Sequence, residues 1–331
     1  MSAIAMPSRR PVVAPRFAMT RELMLVAVTL GLTVMVGLLN HDFVGAQNLR
    51  FMLLNSVVLS LVALGQTLVI AMRGIDLSVA PILGLAAMVC GLLAQTHGLP
   101  LAVALPLALS IGLALGTING LLVATLDIPP IVVTLGTYSL YSGLTFLYSD
   151  GTQVDAVPPT FAAFGNGHLF GIVPVPTPVV VLLVVLALCW YVLRHTGFGR
   201  AVLAVGNNAS AAYAAGLPVT WVRIRVYALS GTLAAFAGLM FLCYTGSATV
   251  TAGTGDHIEL QSIAVSLIGG TAIAGGRGNL IGTVLGSLFL SVVLTALVFL
   301  HVPPIWYSAG EGLMILAAVQ AGIGRRRGAR A

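Results

Sequence analysis

Arg73-Gly74-Ile75-Asp76-Leu77-Ser78-Val79-Ala80 decides the fold, because this stretch places a carboxylate and a hydroxyl between two long apolar runs, residues 49–72 and 77–94. A carboxylate in hydrocarbon costs about 3 kcal/mol even on the most permissive insertion scale, so it normally faces a protein interior or a wet cavity. A glycine and a proline flank it, and broken helices at membrane depth are tolerated where they line a cavity. The pattern indicates a solute pathway, or a short loop in which Asp76 caps the next helix with help from Ser78.

The composition excludes a soluble fold. Of the 331 residues, 58% are hydrophobic and 7% are charged, and the mean hydropathy is +1.05, whereas soluble domains carry about 25% charged residues. All basic residues are arginines, clustered at the chain ends and in one central loop, so the net charge of +6 is not a nucleic-acid-binding footprint. The three cysteines lie in apolar runs without metal-type spacing, which predicts neither a disulfide framework nor a metal site, and no cofactor is expected. We predict an all-α, polytopic membrane protein.

Ten apolar segments are long enough to cross a hydrocarbon core of about 30 Å. They cover residues 21–39, 49–72, 77–94, 99–124, 129–148, 172–193, 222–245, 258–274, 279–300 and 304–322. The fifth is polar for a membrane span, but without it the arginines of the two halves of the chain would fall on opposite faces. With ten spans and a cytoplasmic N-terminus, fourteen of the fifteen basic residues lie on the cytoplasmic side and Arg50 lies outside, as the positive-inside rule requires.

This topology divides the chain into three parts. We expect a cytoplasmic tail at 1–20, a transmembrane permease domain at 21–322 and a basic cytoplasmic tail at 323–331, with both termini in the cytoplasm. Two halves of five helices would be inverted relative to each other, a common transporter design. Small residues spaced three or four apart let helices approach closely, and two faces have this spacing: Gly112, Gly116 and Gly120, and Gly282 and Gly286.

The predicted cytoplasmic loop 194–222 has a helical signal of its own. Asn207 or Asn208 is a suitable N-cap, an alanine run favours helix, and Gly216 followed by a proline ends it. A short helix on the cytoplasmic face is a docking element for another protein, or a connector that packs against its own bundle. The residues alone leave both interpretations open.

Other polar segments carry weaker signals. The glycine-rich run 269–279 lacks the lysine and hydroxyl of a phosphate-binding P-loop, so we interpret it as a tight turn between two spans. Asp256 and Glu259, at the start of the eighth span, would cap that helix or line an outer vestibule, and capping is the favoured interpretation. Glu311 lies inside the last span, where a carboxylate needs a polar partner or water. No cluster of nucleophile, base and metal ligands suggests an enzyme.

Several short motifs together resemble the permease subunits of bacterial monosaccharide ABC importers, of the ribose-permease type. Each motif is weak alone, but their order is specific, and the resemblance spans about residues 40 to 322. The matching blocks are Gly65–Ile70, Gly74–Val79, Asn119-Gly120, Ile128–Thr137, Thr196–Arg200, Gly206–Asn208, Ala252–Gly255, Glu259-Leu260 with Ile263-Ala264, Gly269–Thr271 and Gly275–Gly278. Ala80, Gln66 and Gln261 depart from the family's usual glycine, methionine and acidic residue. Residues 135–155 and 303–307 look closer to rhamnose and autoinducer-2 permeases.

The resemblance implies a set of partners and a coupling site. Members of this family work in the bacterial inner membrane as homodimers or heterodimers of permeases, with a cytoplasmic ATPase and a periplasmic sugar-binding protein. The chain would have no ATPase site of its own. The family's coupling segment matches residues 196–216 here, and its candidate ATPase-coupling residues are Gly199, Arg200, Gly206, Asn207, Asn208, Ala212 and Gly216.

Two functions remain in competition. An ABC importer subunit would pass a monosaccharide through a path that offers hydrogen-bonding groups, and the candidate path residues are Asp76, Ser78, Gln66, Asn119 and Thr134. The alternative is a proton- or sodium-coupled secondary transporter of a small polar solute, with Asp76 and Glu311 as coupling carboxylates. The importer is favoured, because a secondary transporter has no need for a rigid docking helix and would carry more ionisable groups in the membrane.

Overall fold

The computed structural model describes residues 21–167, 175–307, 309–310 and 312–313. Within these residues the chain is a bundle of α-helices without a β-sheet, and extended pairing is limited to isolated bridges such as that between Val154 and Ala248. The helices are α1 (Arg21–Leu39), α2 (Ala46–Ala71), α3 (Val79–His97), α4 (Leu101–Thr125), α5 (Pro130–Ser149), α6 (Pro159–Asn166), α7 (Thr177–His195), α8 (Gly197–Asn207), α9 (Ala209–Ala214), α10 (Val219–Thr245), α11 (Ile258–Ile268) and α12 (Leu280–Phe299).

Eight of these helices are long and apolar enough to cross a membrane, so the prediction of an all-α polytopic membrane protein is confirmed. They are α1, α2, α3, α4, α5, α7, α10 and α12. The polar fifth segment is among them, as a 20-residue helix that begins at two prolines. The predicted span 258–274 is shorter than expected: α11 ends at Ile268, because Gly269 and Gly270, the latter with φ +107°, turn the chain. The predicted span 304–322 and both tails lie largely outside the described residues.

The core is built around α2 and α10. In α2 every residue from Ser56 to Ala71 is buried, which explains why its sequence is apolar all round rather than on one stripe. α10 packs against α2, α3 and α4. At its contact with α4, a side chain on Gly112 would collide with the carbonyl of Gly231, and one on Gly116 with the carbonyl of Tyr227. The predicted small-residue face of α4 is therefore confirmed.

The two ends of the bundle differ in charge. Arg73 donates to the carbonyl oxygens of Ala274 (2.6 Å) and Asn207 (2.7 Å), so the connections α2–α3, α8–α9 and α11–α12 meet at one end. Arg21 donates to the Leu267 carbonyl at 3.0 Å and marks the same end. We call it the arginine-rich end. Arg50 contacts the Asn166 carbonyl at the opposite end, which we call the arginine-poor end.

Candidate functional site

The break between α2 and α3 lies inside the protein. Residues 72–78 leave the helix after Ala71, with Arg73 in the left-handed region at φ +68°. The structure brings all five predicted path residues together at this break, from α2, α4, α5 and the break itself. Each has 0% exposed surface: Gln66, Asp76, Ser78, Asn119 and Thr134.

Hydrogen bonds fix both carboxylate oxygens of Asp76. Oδ1 accepts from the Ser78 hydroxyl at 2.6 Å and from the Ser78 backbone N–H at 3.1 Å. Oδ2 accepts from the Ser230 hydroxyl on α10 at 3.0 Å. Ser78 occupies the N-cap position of α3 but makes no side-chain capping bond. Asp76 is therefore not the N-cap residue itself, although its carboxylate accepts the Ser78 N–H at the start of the helix. Its carboxylate still lies at the N-terminal end of α3, where the helix dipole favours negative charge.

Other predicted path residues extend this hydrogen-bond network across the bundle. Asn119 donates to the Ser78 hydroxyl at 2.7 Å and accepts from the Tyr141 hydroxyl at 3.2 Å. Thr134 donates to the Ile75 carbonyl oxygen at 3.1 Å. These bonds tie the break to α4 and α5.

Gln66 faces the backbone of Asp76. In the orientation that satisfies both groups, its amide nitrogen donates to the Asp76 carbonyl at 3.0 Å and its oxygen accepts from the Asp76 N–H at 3.3 Å. We call Gln66, Asp76, Ser78, Asn119, Thr134, Tyr141 and Ser230 the Asp76 cluster. It joins α2, α3, α4, α5 and α10, and it is closed to solvent in this conformation.

Two members of the Asp76 cluster were missed from the sequence. Ser230 is one of several hydroxyl-bearing residues in the long, mostly apolar α10, and serine is common in membrane helices for packing reasons alone. Tyr141 lies in the polar fifth span, whose unusual composition was the one available signal. Both partners are distant in sequence from Asp76, so only the fold brings them to it.

A cavity of about 620 Å³ opens at the arginine-poor end, between α2, α10, α11 and α12. Its polar wall residues are mostly uncharged, and aromatic rings lie among them. The tyrosine hydroxyl of Tyr244 donates to Asn55 at 2.5 Å, which orients the Asn55 amide. The polar and aromatic wall residues are Asn48, Phe51, Asn55, Phe241, Tyr244, Asp256, His257, Gln261, Ser291, Thr295, Phe299 and Tyr307.

Asp256 belongs to this cavity wall. The N-cap of α11 is His257 and has no side-chain capping bond, so the favoured interpretation of Asp256 and Glu259 as capping residues is wrong. Instead the Asp256 carbonyl accepts from the Gln261 side chain at 2.8 Å. Glu259 is buried and lies 3.6 Å from the His257 ring nitrogen.

The predicted coupling segment forms two helices at the arginine-rich end: α9 is the predicted short helix, and α8, which precedes it, was not predicted. Thr196 caps α8 by accepting from the Gly199 N–H at 3.2 Å. Asn208 caps α9 by accepting from the Ala211 N–H at 3.0 Å, which confirms one of the two predicted caps. Gly216, at φ +81°, follows the end of α9 as predicted.

The candidate coupling residues divide between two surfaces. Gly199, Gly206 and Ala212 are buried against the bundle, whereas Arg200, Asn207, Asn208 and Gly216 are exposed. A side chain on Gly206 would collide with the carbonyl of Ala71, so α8 packs directly on the end of α2. Tyr213, with 76% of its surface exposed, is the largest apolar side chain that α9 presents outward.

Arg73 connects the α8–α9 segment with the Asp76 cluster. Its guanidinium bonds to the carbonyl at the end of α8 (Asn207) and to Ala274, and its own backbone is three residues from Asp76. The Gly276 N–H donates to the Ala71 carbonyl at 2.8 Å, which adds the α11–α12 connection. Arg73 therefore links the end of α8 to the segment that carries Asp76.

The membrane bundle has a polar cavity at one end and exposed short helices at the other, and it contains a buried polar break in a helix. This is the architecture of a transport permease. The chain belongs to the family described as "Branched-chain amino acid transport system / permease component", whose model matches residues 48–319.

Curated relatives agree with this assignment. The chain is 34% identical to the ribose import permease protein of Haemophilus influenzae over 294 residues, covering 88% of this chain and 89% of the relative. It is 35% identical to the autoinducer 2 import system permease protein of Escherichia coli O157:H7 over 299 residues, covering 90% and 86%. No solved structure matches the chain. The predicted resemblance to importer permeases is thereby confirmed, and the chain is a multi-pass permease subunit.

Proposed function

We propose that this chain passes a monosaccharide, or a neutral polyol of similar size, across the bacterial inner membrane, driven by ATP hydrolysis in a separate subunit. The observation that carries the proposal is the cavity of about 620 Å³ at the arginine-poor end, within the range of about 300–1,000 Å³ typical of small-molecule sites. Relatives over nearly the whole chain are named for import of ribose and autoinducer 2.

The chemistry of the cavity wall favours a neutral polyol. Amides and hydroxyls such as Asn55, Gln261 and Thr295 offer donors and acceptors, and Phe241 and Tyr244 offer flat apolar faces. The family description names branched-chain amino acids, but a zwitterion needs a cation for its carboxylate. Among the described residues that form the wall there is no arginine or lysine. A polyol therefore fits this wall better than an amino acid.

The charge difference between the ends supports an orientation. We place the arginine-rich end in the cytoplasm, since arginines concentrate on the cytoplasmic side of membrane proteins. The cavity then opens outward, where a periplasmic sugar-binding protein would deliver the substrate. Both termini and the segment 194–222 would lie in the cytoplasm, with the permease domain at 21–322 between two tails.

The cytoplasmic helices support a docking role. α8 is held against the bundle by its buried glycines and α9 by Ala212. The side chains of Arg200, Asn208 and Tyr213 remain exposed for an ATPase. Movement of the ATPase would enter through these helices and reach the Asp76 cluster through Arg73. A second permease copy or a related permease would complete the dimer.

The secondary-transporter alternative gains little support. A coupling carboxylate must exchange protons or ions with water on each side, but Asp76 has 0% exposed surface. Its oxygens are bonded to Ser78 and Ser230 instead. Glu311, the other carboxylate of that hypothesis, lies outside the described residues.

The proposal is tested by uptake into vesicles that contain the chain with its native ATPase and binding protein. We expect ATP-dependent uptake of a labelled monosaccharide and no uptake of labelled leucine. Thr295→Val removes a cavity hydroxyl and should lower uptake about tenfold, the effect of one or two lost hydrogen bonds. Thr232→Val is the matched control, because Thr232 bonds to the Ala228 carbonyl on α10, outside the cavity. Uptake of leucine in preference to every sugar would overturn the proposal.

A further inference from the structure

A second, smaller cavity lies at the arginine-rich end. Its volume is about 220 Å³, below the range of about 300–1,000 Å³ of typical small-molecule sites. The walls come from the α2–α3 break, the end of α4, the start of α5, α8, α9 and the start of α10. The wall residues are Met72, Arg73, Gly74, Val123, Asp127, Ile128, Pro129, Pro130, Val205, Ala209, Arg223 and Tyr227.

Two guanidinium groups and one carboxylate set the charge of this cavity. Arg73 uses Nε and Nη2 for the carbonyls of Ala274 and Asn207, so its Nη1 is left for another acceptor. Arg223 makes no ion pair or hydrogen bond within the described part of the chain. Asp127 supplies the opposing charge, and with two cations against one anion the cavity has a net charge of +1.

Tyr227 adds a third unused donor. It lies one helical turn after Arg223 on α10, so both side chains are on the same face of the helix. Its side chain has 0% exposed surface, and its hydroxyl has no hydrogen-bond partner among the described residues. A Cβ on Gly74, another wall residue, would lie 2.6 Å from this hydroxyl. A buried hydroxyl without a partner is costly and is usually satisfied by a bound group.

We infer that this cavity binds a small phosphomonoester, such as a pentose phosphate, from the cytoplasm. A phosphate monoester is rich in acceptors, and the cavity offers donors from Arg73, Arg223 and Tyr227. Arginine pairs with phosphate through parallel, charge-assisted hydrogen bonds. The volume excludes a nucleotide. The cytoplasmic source rests on the orientation proposed above, and the ligand class is the product of phosphorylation of an imported sugar.

Binding here has a consequence for transport. Arg73 ties the α2–α3 break to α8, so a ligand on its free nitrogen holds that junction in one position. Gly74, beside the ligand, is two residues from Asp76. A phosphomonoester bound here would therefore contact the segment that links α8 to the Asp76 cluster.

Calorimetric titration of the purified full-length permease in lipid nanodiscs tests the site. Ribose 5-phosphate and inorganic phosphate are the probes, and ribose and ATP are the controls for charge and size. We expect both phosphates to bind, and neither control. Arg223→Gln should weaken binding at least tenfold, Arg223→Lys less, and Tyr227→Phe several-fold. Arg225→Gln, an exposed arginine of α10 outside this cavity, should bind as the wild type does.

Three results would overturn the inference. The first is an absence of phosphate binding to the wild type. The second is equal weakening by Arg223→Gln and Arg225→Gln, which indicates general electrostatic attraction. The third is binding of ribose that depends on Arg223, which makes the cavity a part of the substrate path. Because the titration needs neither the ATPase nor the binding protein, its failure leaves the proposed sugar import untouched.

Discussion

Asp76 shows how a buried carboxylate is kept in a membrane bundle. Its charge is met by the Ser78 N–H and hydroxyl, by the Ser230 hydroxyl and by the start of α3, without an arginine. The rule that a membrane carboxylate needs polar partners predicted a cluster here. Besides Asp76 itself, four of its members could be named because they are polar residues in unusual places. Tyr141 and Ser230 were not named, and nothing in the local sequence of Ser230 distinguishes it from a packing serine.

The substitution Asp76→Asn tests whether Asp76 acts as a structural carboxylate or as a proton carrier. A hydrogen bond to a charged acceptor is stronger than one to a neutral acceptor by about 1 kcal/mol, so we expect uptake to fall about fivefold while its dependence on ATP remains. The measurement is uptake in vesicles at constant ATP, with and without a proton gradient. Asp150→Asn is the control, since Asp150 is exposed and has φ +50°, a conformation that asparagine tolerates. Loss of wild-type transport on collapse of the gradient would favour the secondary transporter.

The helices differ in how far sequence could predict them. Hydropathy identified the eight long spans, because each must cover the same thickness of hydrocarbon. It overextended the eighth span, since residues 271–274 are mostly apolar but follow the Gly269-Gly270 turn. It also missed α8, whose three glycines weaken helix propensity by about 1 kcal/mol each. Close packing of Gly199 on the end of α7 offsets that cost, and only the fold reveals it.

The close contact between α4 and α10 can be tested by comparing two glycine-to-alanine substitutions that change the intrinsic helix propensity equally. Gly112→Ala places a methyl against the Gly231 carbonyl and the Ala235 side chain, so the helices must separate. We expect a destabilisation of about 1–3 kcal/mol, typical of overpacking. Gly136→Ala on α5 meets nothing within 4 Å and should be neutral or stabilising by about 0.5–1 kcal/mol. Thermal unfolding in detergent measures both, and equal effects would contradict the close approach.

The docking role of α9 depends on which face it presents. Ala212 points into the bundle, so a bulky substitution there disrupts packing rather than contact with a partner. Tyr213 points outward and is the test residue, since exposed tyrosines often anchor interfaces. Tyr213→Ala should reduce co-purification of the ATPase about tenfold and leave the unfolding temperature unchanged. Tyr148→Ala, an exposed tyrosine at the other end of the bundle, is the control. Normal ATPase recovery with Tyr213→Ala would make α9 a simple connector.

At the scale of the whole molecule, the position of the arginines predicted which connections share an end. Arg73 alone brings three of them together. The cavity at the arginine-poor end could not be predicted, because its walls combine α2 with α10, α11 and α12, which are far from α2 in sequence. The inverted relation of the two halves remains a prediction, as does the tenth span beyond the described residues.

The proposals for sugar import, ATPase docking and cytoplasmic phosphate binding all depend on the orientation of the bundle. Cysteine labelling of intact cells tests this orientation most directly. Asp155→Cys lies exposed at the arginine-poor end and Ser210→Cys lies exposed on α9; both are made in a chain whose three native cysteines are replaced. A membrane-impermeant maleimide should label Asp155→Cys in intact cells and reach Ser210→Cys only after permeabilisation. Labelling of Ser210→Cys in intact cells, with Asp155→Cys protected, would place the cavity in the cytoplasm and contradict the proposed direction of import.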